Sequence, residues 1–168
     1  MKKSKAFTLV EILVVVVVLG ILAAVVIPMA AESTSAARDT ALIHDLQMLR
    51  RYIQIYESQH LEVAPGYPNG ASGQDPTEQA FVDQLTKSSK ITGETADRGT
   101  AGFDYGPYLW RVPENHFNNK SGIQMLRNGE NFPGDPDGSH GWIYKAATSE
   151  IRPDNVGSDS NGKRYYDY

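Results

Sequence analysis

The sequence predicts an α+β protein: a long N-terminal helix, membrane-spanning in its first half and amphipathic in its second, packed on a small antiparallel sheet domain. Three observations carry that expectation. From Ile12 to Ile27 the chain has sixteen consecutive residues with no charged or polar side chain. Further on, Leu42, Leu46, Leu49, Ile53, Tyr56 and His60 recur at alternating steps of four and three, which puts them on one face of a helix. Past residue 63 the chain is rich in Pro and Gly, and its apolar runs are short, one fitting a short helix and the others short strands. The boundaries that follow are a leader at 1–6, a spanning helix at 7–31, its amphipathic continuation at 32–62 and a C-terminal α+β domain at 63–168.

Composition limits the function. The 168 residues are 40% apolar and 21% charged, and none is cysteine, which excludes disulfide scaffolds, thiolate metal sites and a cysteine nucleophile. The net charge is −4, and without the first six residues and their three lysines it becomes −7. A nucleic-acid partner held through its phosphates is not expected on such a surface.

Lys2, Lys3 and Lys5 precede the apolar run, and basic residues in that position stay on the cytoplasmic side of a membrane, so the segment points its C-terminal end outward. A helix from Phe7 to Ala31 would be about 38 Å long against a hydrocarbon core of about 30 Å. Val14 to Val18 would read as a strand in water, but a lone strand in lipid leaves its amides unpaired, so the segment must be helical. Pro28 lacks an amide and is expected to kink or loosen the helix near the far end. A secretory signal peptide or a plain anchor would share these features. Glu11 sets the segment apart, because a carboxylate inside a span costs roughly 2.5–3.5 kcal/mol and is kept where it has a partner or a role.

Ala6-Phe7-Thr8-Leu9-Val10-Glu11 resembles the type IV prepilin signature: a basic leader, a small residue, then Phe-Thr-Leu-x-Glu opening a hydrophobic helix. The resemblance implies cleavage by a prepilin peptidase between Ala6 and Phe7, N-methylation of Phe7, and pairing of Glu11 with the amine of a neighbouring subunit during filament assembly. It also assigns the helix-loosening proline to Pro28. The family usually has Gly before the cut, where this chain has Ala6. A new amine and a buried carboxylate of opposite sign would each be uncompensated alone, so their pairing favours a packed filament over separate helices.

The amphipathic stripe from Leu42 to His60 is too short for a coiled-coil seam and is expected to pack on the chain's own C-terminal domain, with His60 packed or capping rather than a ligand. Pro65 to Gly73 ends the helix. Asp75-Pro76-Thr77-Glu78 reads as a new helix start with Asp75 as N-cap and Pro76 at the first position. That helix ends near Lys87, and residues 88–102 read as a surface loop. Tyr105-Gly106-Pro107-Tyr108-Leu109-Trp110-Arg111-Val112-Pro113 is similar to the Gly-Pro-Tyr-Leu segment of the major pseudopilins of type II secretion, although Asn115-His116-Phe117 stands where Asp-Pro-Trp is expected. Read without the resemblance, it is an aromatic-rich turn over the helix stripe. Ile123 to Leu126 is a candidate strand, and Gly141–Tyr144 with Glu150–Arg152 is a candidate hairpin. The tail from Pro153 to Tyr168 reads as an ordered loop or a frayed end.

Gly157 to Lys163 spells a P-loop glycine spacing, but Arg164 stands where Ser or Thr would hold magnesium, and no strand–helix context surrounds it. No hydrolase or metalloprotease motif occurs, and the four histidines share no ligand spacing. Asp135, Asp137, Asp154 and Asp159 sit beside Gly turns, as calcium ligands or as solvated turns with Asx caps. Major pseudopilins bind calcium in a C-terminal loop, so the resemblance implies calcium there.

The reading that follows is a non-enzymatic filament subunit, a type II secretion pseudopilin in a periplasmic pseudopilus. Its expected partners are copies of itself, membrane lipid before assembly, the prepilin peptidase, an inner-membrane assembly platform and minor pseudopilins. The expected location is the inner membrane, single-pass, with the N-terminus cytoplasmic and the globular domain periplasmic. The alternatives are a type IV pilin for adhesion, motility or DNA uptake, and a membrane-anchored periplasmic binding or enzyme domain.

Overall fold

The computed structural model describes residues 8–168, with the backbone only at position 25 and at positions 27–33. The leader, Ala6 and Phe7 lie outside the described residues. The chain forms two compact units, Met1–Arg38 and Asp39–Tyr168. Helix α1 (Leu9–Gln59) runs from the first into the second. Its backbone is helical through position 28, where the Pro28 side chain lies outside the description.

In the second unit the stripe predicted from spacing forms the core. Leu42, Leu46, Leu49, Ile53, Tyr56 and His60 are each no more than 2% exposed. Each buried aliphatic side chain stabilises the fold by roughly 1.5–3 kcal/mol relative to leaving it in water. After α1, Leu61 and Glu62 take left-handed φ values of 58° and 60°. Such residues cannot continue a right-handed helix, and Pro65-Gly66 then carries the chain away.

Helix α2 (Glu78–Thr86) starts two residues later than expected. Its N-cap is Thr77, in extended conformation, whose hydroxyl accepts from the Ala80 amide. Asp75 instead accepts from the Asn128 amide at 3.0 Å, an interaction with a distant turn that short-range rules could not reveal. Phe81 and Leu85 are buried, and so is Gln84. Its side-chain carbonyl accepts from Gly66, while its amide donates to the carbonyls of Tyr67 and Gly93. One polar side chain thereby ties the Pro/Gly turn to α2, and its burial is tolerable because its donors and acceptor are matched.

Residues 88–102 are not merely a surface loop. Strands β1 (Ser88–Ser89) and β2 (Thr95–Ala96) pair antiparallel, and Ser88 and Ser89 are buried. A two-residue ladder built on serine offers no apolar alternation, so the sequence carries no strand signal there. Strands β3 (Ile123–Met125), β4 (Trp142–Lys145) and β5 (Glu150–Pro153) form a second sheet in the order β3-β4-β5. The β4–β5 hairpin is as expected, with Trp142 opposite Pro153 and Tyr144 opposite Ile151. The sheet as a whole is mixed rather than antiparallel, because β3 runs parallel to β4 with Ile123 beside Trp142. A parallel pair needs a long return connection, and residues 126–141 provide it without a helix.

Phe81 packs on Tyr144 with ring centroids 4.7 Å apart, and the Trp142 indole donates to the Pro113 carbonyl. The tail is clamped rather than frayed. Tyr165 and Tyr166 are buried, the Tyr165 hydroxyl donates to Asp39, and Arg50 donates to the carbonyls of Ile151 and Tyr168.

Candidate functional site

The site expected at the N-terminus begins where α1 begins. The Thr8 amide and the Thr8 hydroxyl both donate to Glu11 Oε2 at 2.9 Å, and the Glu11 amide donates back to the Thr8 hydroxyl at 3.2 Å. This is a reciprocal capping box, which satisfies donors that a helix start otherwise leaves without partners. The sequence carries the signal, since Thr8-x-x-Glu11 is the capping-box spacing. Glu11 therefore has a local role that an isolated helix can use, in addition to any role between subunits.

Around and beyond Glu11 the helix is apolar on all sides. Leu9 is 83% exposed and Val18 48%, with Val10, Ile12 to Val17, Leu19, Ile21, Leu22 and Val26 exposed as well. A helix apolar all round needs an apolar surrounding rather than one packed face. Among the described residues no helix is long and apolar enough to cross a membrane. The expected span at 7–31 includes Phe7 and the side chains of residues 27–31, which lie outside them.

Asp137 and Asp154 meet at one turn, whereas Asp135 and Asp159 have other partners. Asp154 is buried and accepts from the amides of Gly138 and His140, with the Ser139 hydroxyl at 3.5 Å. Asp137 caps the same turn through the Ser139 amide, and the Ser139 hydroxyl, followed by that amide bond, holds its carboxyl below the usual range. Asp135 pairs with Arg164 at 2.8 Å, whereas Asp159 accepts from Asn161, Lys163 and the Tyr168 hydroxyl. Among the described residues no three acidic or histidine side chains gather as metal ligands. As arranged here, the carboxylates organise turns. The P-loop-like Gly157 to Lys163 is one of those turns, closed by Asp159.

His60 is also structural. Its Nδ1 lies 2.8 Å from the Tyr56 carbonyl and its Nε2 2.9 Å from the Ser89 hydroxyl, and its ring stacks on Tyr56 at 3.7 Å. Only a ring with Nδ1–H can donate to that carbonyl, so in the neutral form Nε2 accepts from Ser89.

The family model for the prokaryotic N-terminal methylation motif matches residues 1–27. The chain carries a prepilin-type N-terminus. Beyond that motif, it is similar to the type II secretion system core protein G of Klebsiella pneumoniae, at 27% identity over 143 residues. That alignment covers 82% of this chain and 89% of the relative, so the likeness extends through the C-terminal unit. No solved structure matches the chain at a significant level.

Proposed function

We propose that the protein is a pseudopilin of a type II secretion system, working by assembly rather than catalysis. The observation that carries this reading is the prepilin motif at 1–27 leading into a helix whose apolar residues are exposed on every side. In this reading the precursor is stored in the inner membrane through the segment at 7–31, with the C-terminal unit in the periplasm. A prepilin peptidase removes the leader between Ala6 and Phe7, and the new amine on Phe7 is methylated. The helices then leave lipid for a bundle of copies, which supplies the same apolar surrounding, and Glu11 meets the amine of a neighbour. Extrusion of that filament through an inner-membrane platform, with minor pseudopilins, would serve protein export.

Mass spectrometry of the purified protein's N-terminus tests the first step. The expected product begins at methylated Phe7. A mature protein that retains Met1, or one that begins after Ala37, would overturn the reading.

A further inference from the structure

We propose that the groove beside Trp110 binds a neutral glycan, with one pyranose ring seated on the indole. Trp110 is 83% exposed, the most exposed large hydrophobic side chain described beyond α1. It is not loose. Arg98 lies over its ring at 4.2 Å and is itself fixed by donating to the carbonyls of Thr86, Leu109 and Trp110. Holding an indole rigid in water, with its other face unused by the fold, provides a flat apolar platform of the size of a sugar's C–H face.

The groove next to that platform has a volume of about 400 Å³, within the roughly 300–1,000 Å³ of small-molecule sites. Val82 supplies an apolar lining, and Glu78, Arg111, Glu114 and Ser121 bring polar groups to the same groove. Glu78 spends one oxygen, Oε1, on the Ile123 amide. Its other oxygen, the Glu114 carboxylate, the Arg111 guanidinium and the Ser121 hydroxyl show no intramolecular hydrogen bond among the described residues.

The mixture of groups selects the ligand by elimination. Two carboxylates repel a phosphate or another anion, and Arg111 opposes a cationic segment. A purely apolar ligand would strip water from all of these groups and return no hydrogen bonds, which is costly. A polyhydroxylated neutral ring offers donors to Glu78 and Glu114, acceptors to Arg111 and Ser121, and a C–H face to Trp110. This inference stands apart from the filament reading, since it uses only residues of the second unit.

The test uses the full chain in a detergent without a sugar headgroup, titrated with chitotetraose and, separately, cellotetraose. The chain has two tryptophans, and Trp142 is fully buried, so a change in fluorescence on binding reports Trp110. The expected result is a saturable change with at least one of the two oligosaccharides, abolished in Trp110→Ala and weakened tenfold or more in Glu114→Gln. Trp110→Phe should retain part of the affinity, and unchanged melting of all three variants separates lost binding from lost folding. Calorimetry follows the Phe and Ala variants, which lack the fluorescent reporter. No saturable response to either sugar, or binding that survives Trp110→Ala, would overturn the proposal. So would a Trp110→Ala variant that loses filaments while the parent binds no sugar, which would make the groove a contact between subunits.

Discussion

Glu11 combines two tasks that a single substitution to alanine would confuse. Its carboxylate closes the capping box with Thr8, and in the proposed filament its charge meets a neighbour's amine. Glutamine can close the same box without the charge. Glu11→Gln is therefore expected to insert and to start α1 normally yet yield no filaments, as seen by electron microscopy of sheared material. Filaments at the parent level from that variant would assign Glu11 to capping alone. At the other end of α1, burial pushes the His60 pKa below its ordinary 6.5, and the hydrogen bond with the Tyr56 carbonyl opposes this more weakly. The folded state thus binds fewer protons than the unfolded chain just below that value. The stability His60 contributes is complete above about pH 6.5 and is lost as the pH falls through its depressed folded value. Melting temperatures from about pH 8 to about pH 5 should fall more steeply for the parent than for His60→Gln. Equal slopes would place the acid sensitivity on other groups.

At the scale of elements, what could be read from the sequence was what periodicity encodes. The alternating four-and-three spacing from Leu42 to His60 located the buried stripe of α1 residue by residue, and the Trp142–Arg152 hairpin followed from two apolar runs around a short turn. Three features escaped for physical reasons. The cap of α2 moved from Asp75 to Thr77 because Asp75 is engaged by Asn128, more than fifty positions away. Ser88 and Ser89 are buried through hydroxyl partners rather than apolar surface, since Ser89 meets His60 and Ser88 accepts from the Gly99 amide. The parallel β3–β4 pairing depends on where the 126–141 connection returns, and no local pattern records a direction of travel. At the candidate site, Glu11 is legible from its charge inside an apolar run, and Thr8 from the capping-box spacing. The aspartates were legible as turn residues, whereas the meeting of Asp137 with Asp154 at one turn, across the β4–β5 hairpin, is a matter of tertiary structure.

For the whole molecule, the described core lies entirely in the second unit, and every buried residue of its main cluster falls between Leu42 and Tyr165. A fragment of residues 39–168 should therefore fold without detergent, give dispersed amide resonances and melt cooperatively. A fragment lacking a cooperative transition would mean that residues before Asp39 contribute to the fold.

The tyrosine at position 165 has a mechanical consequence. Traction on α1 from its N-terminal side enters the second unit at Asp39, where the Tyr165 hydroxyl is already fastened. One turn after turn of the same helix is then gripped by Leu42, Leu46 and Leu49, with Arg50 tied to the backbone of Ile151 and Tyr168. The load is carried in shear across many contacts at once instead of peeling them off in sequence, so the helix can serve as a tether that resists extraction from its own domain.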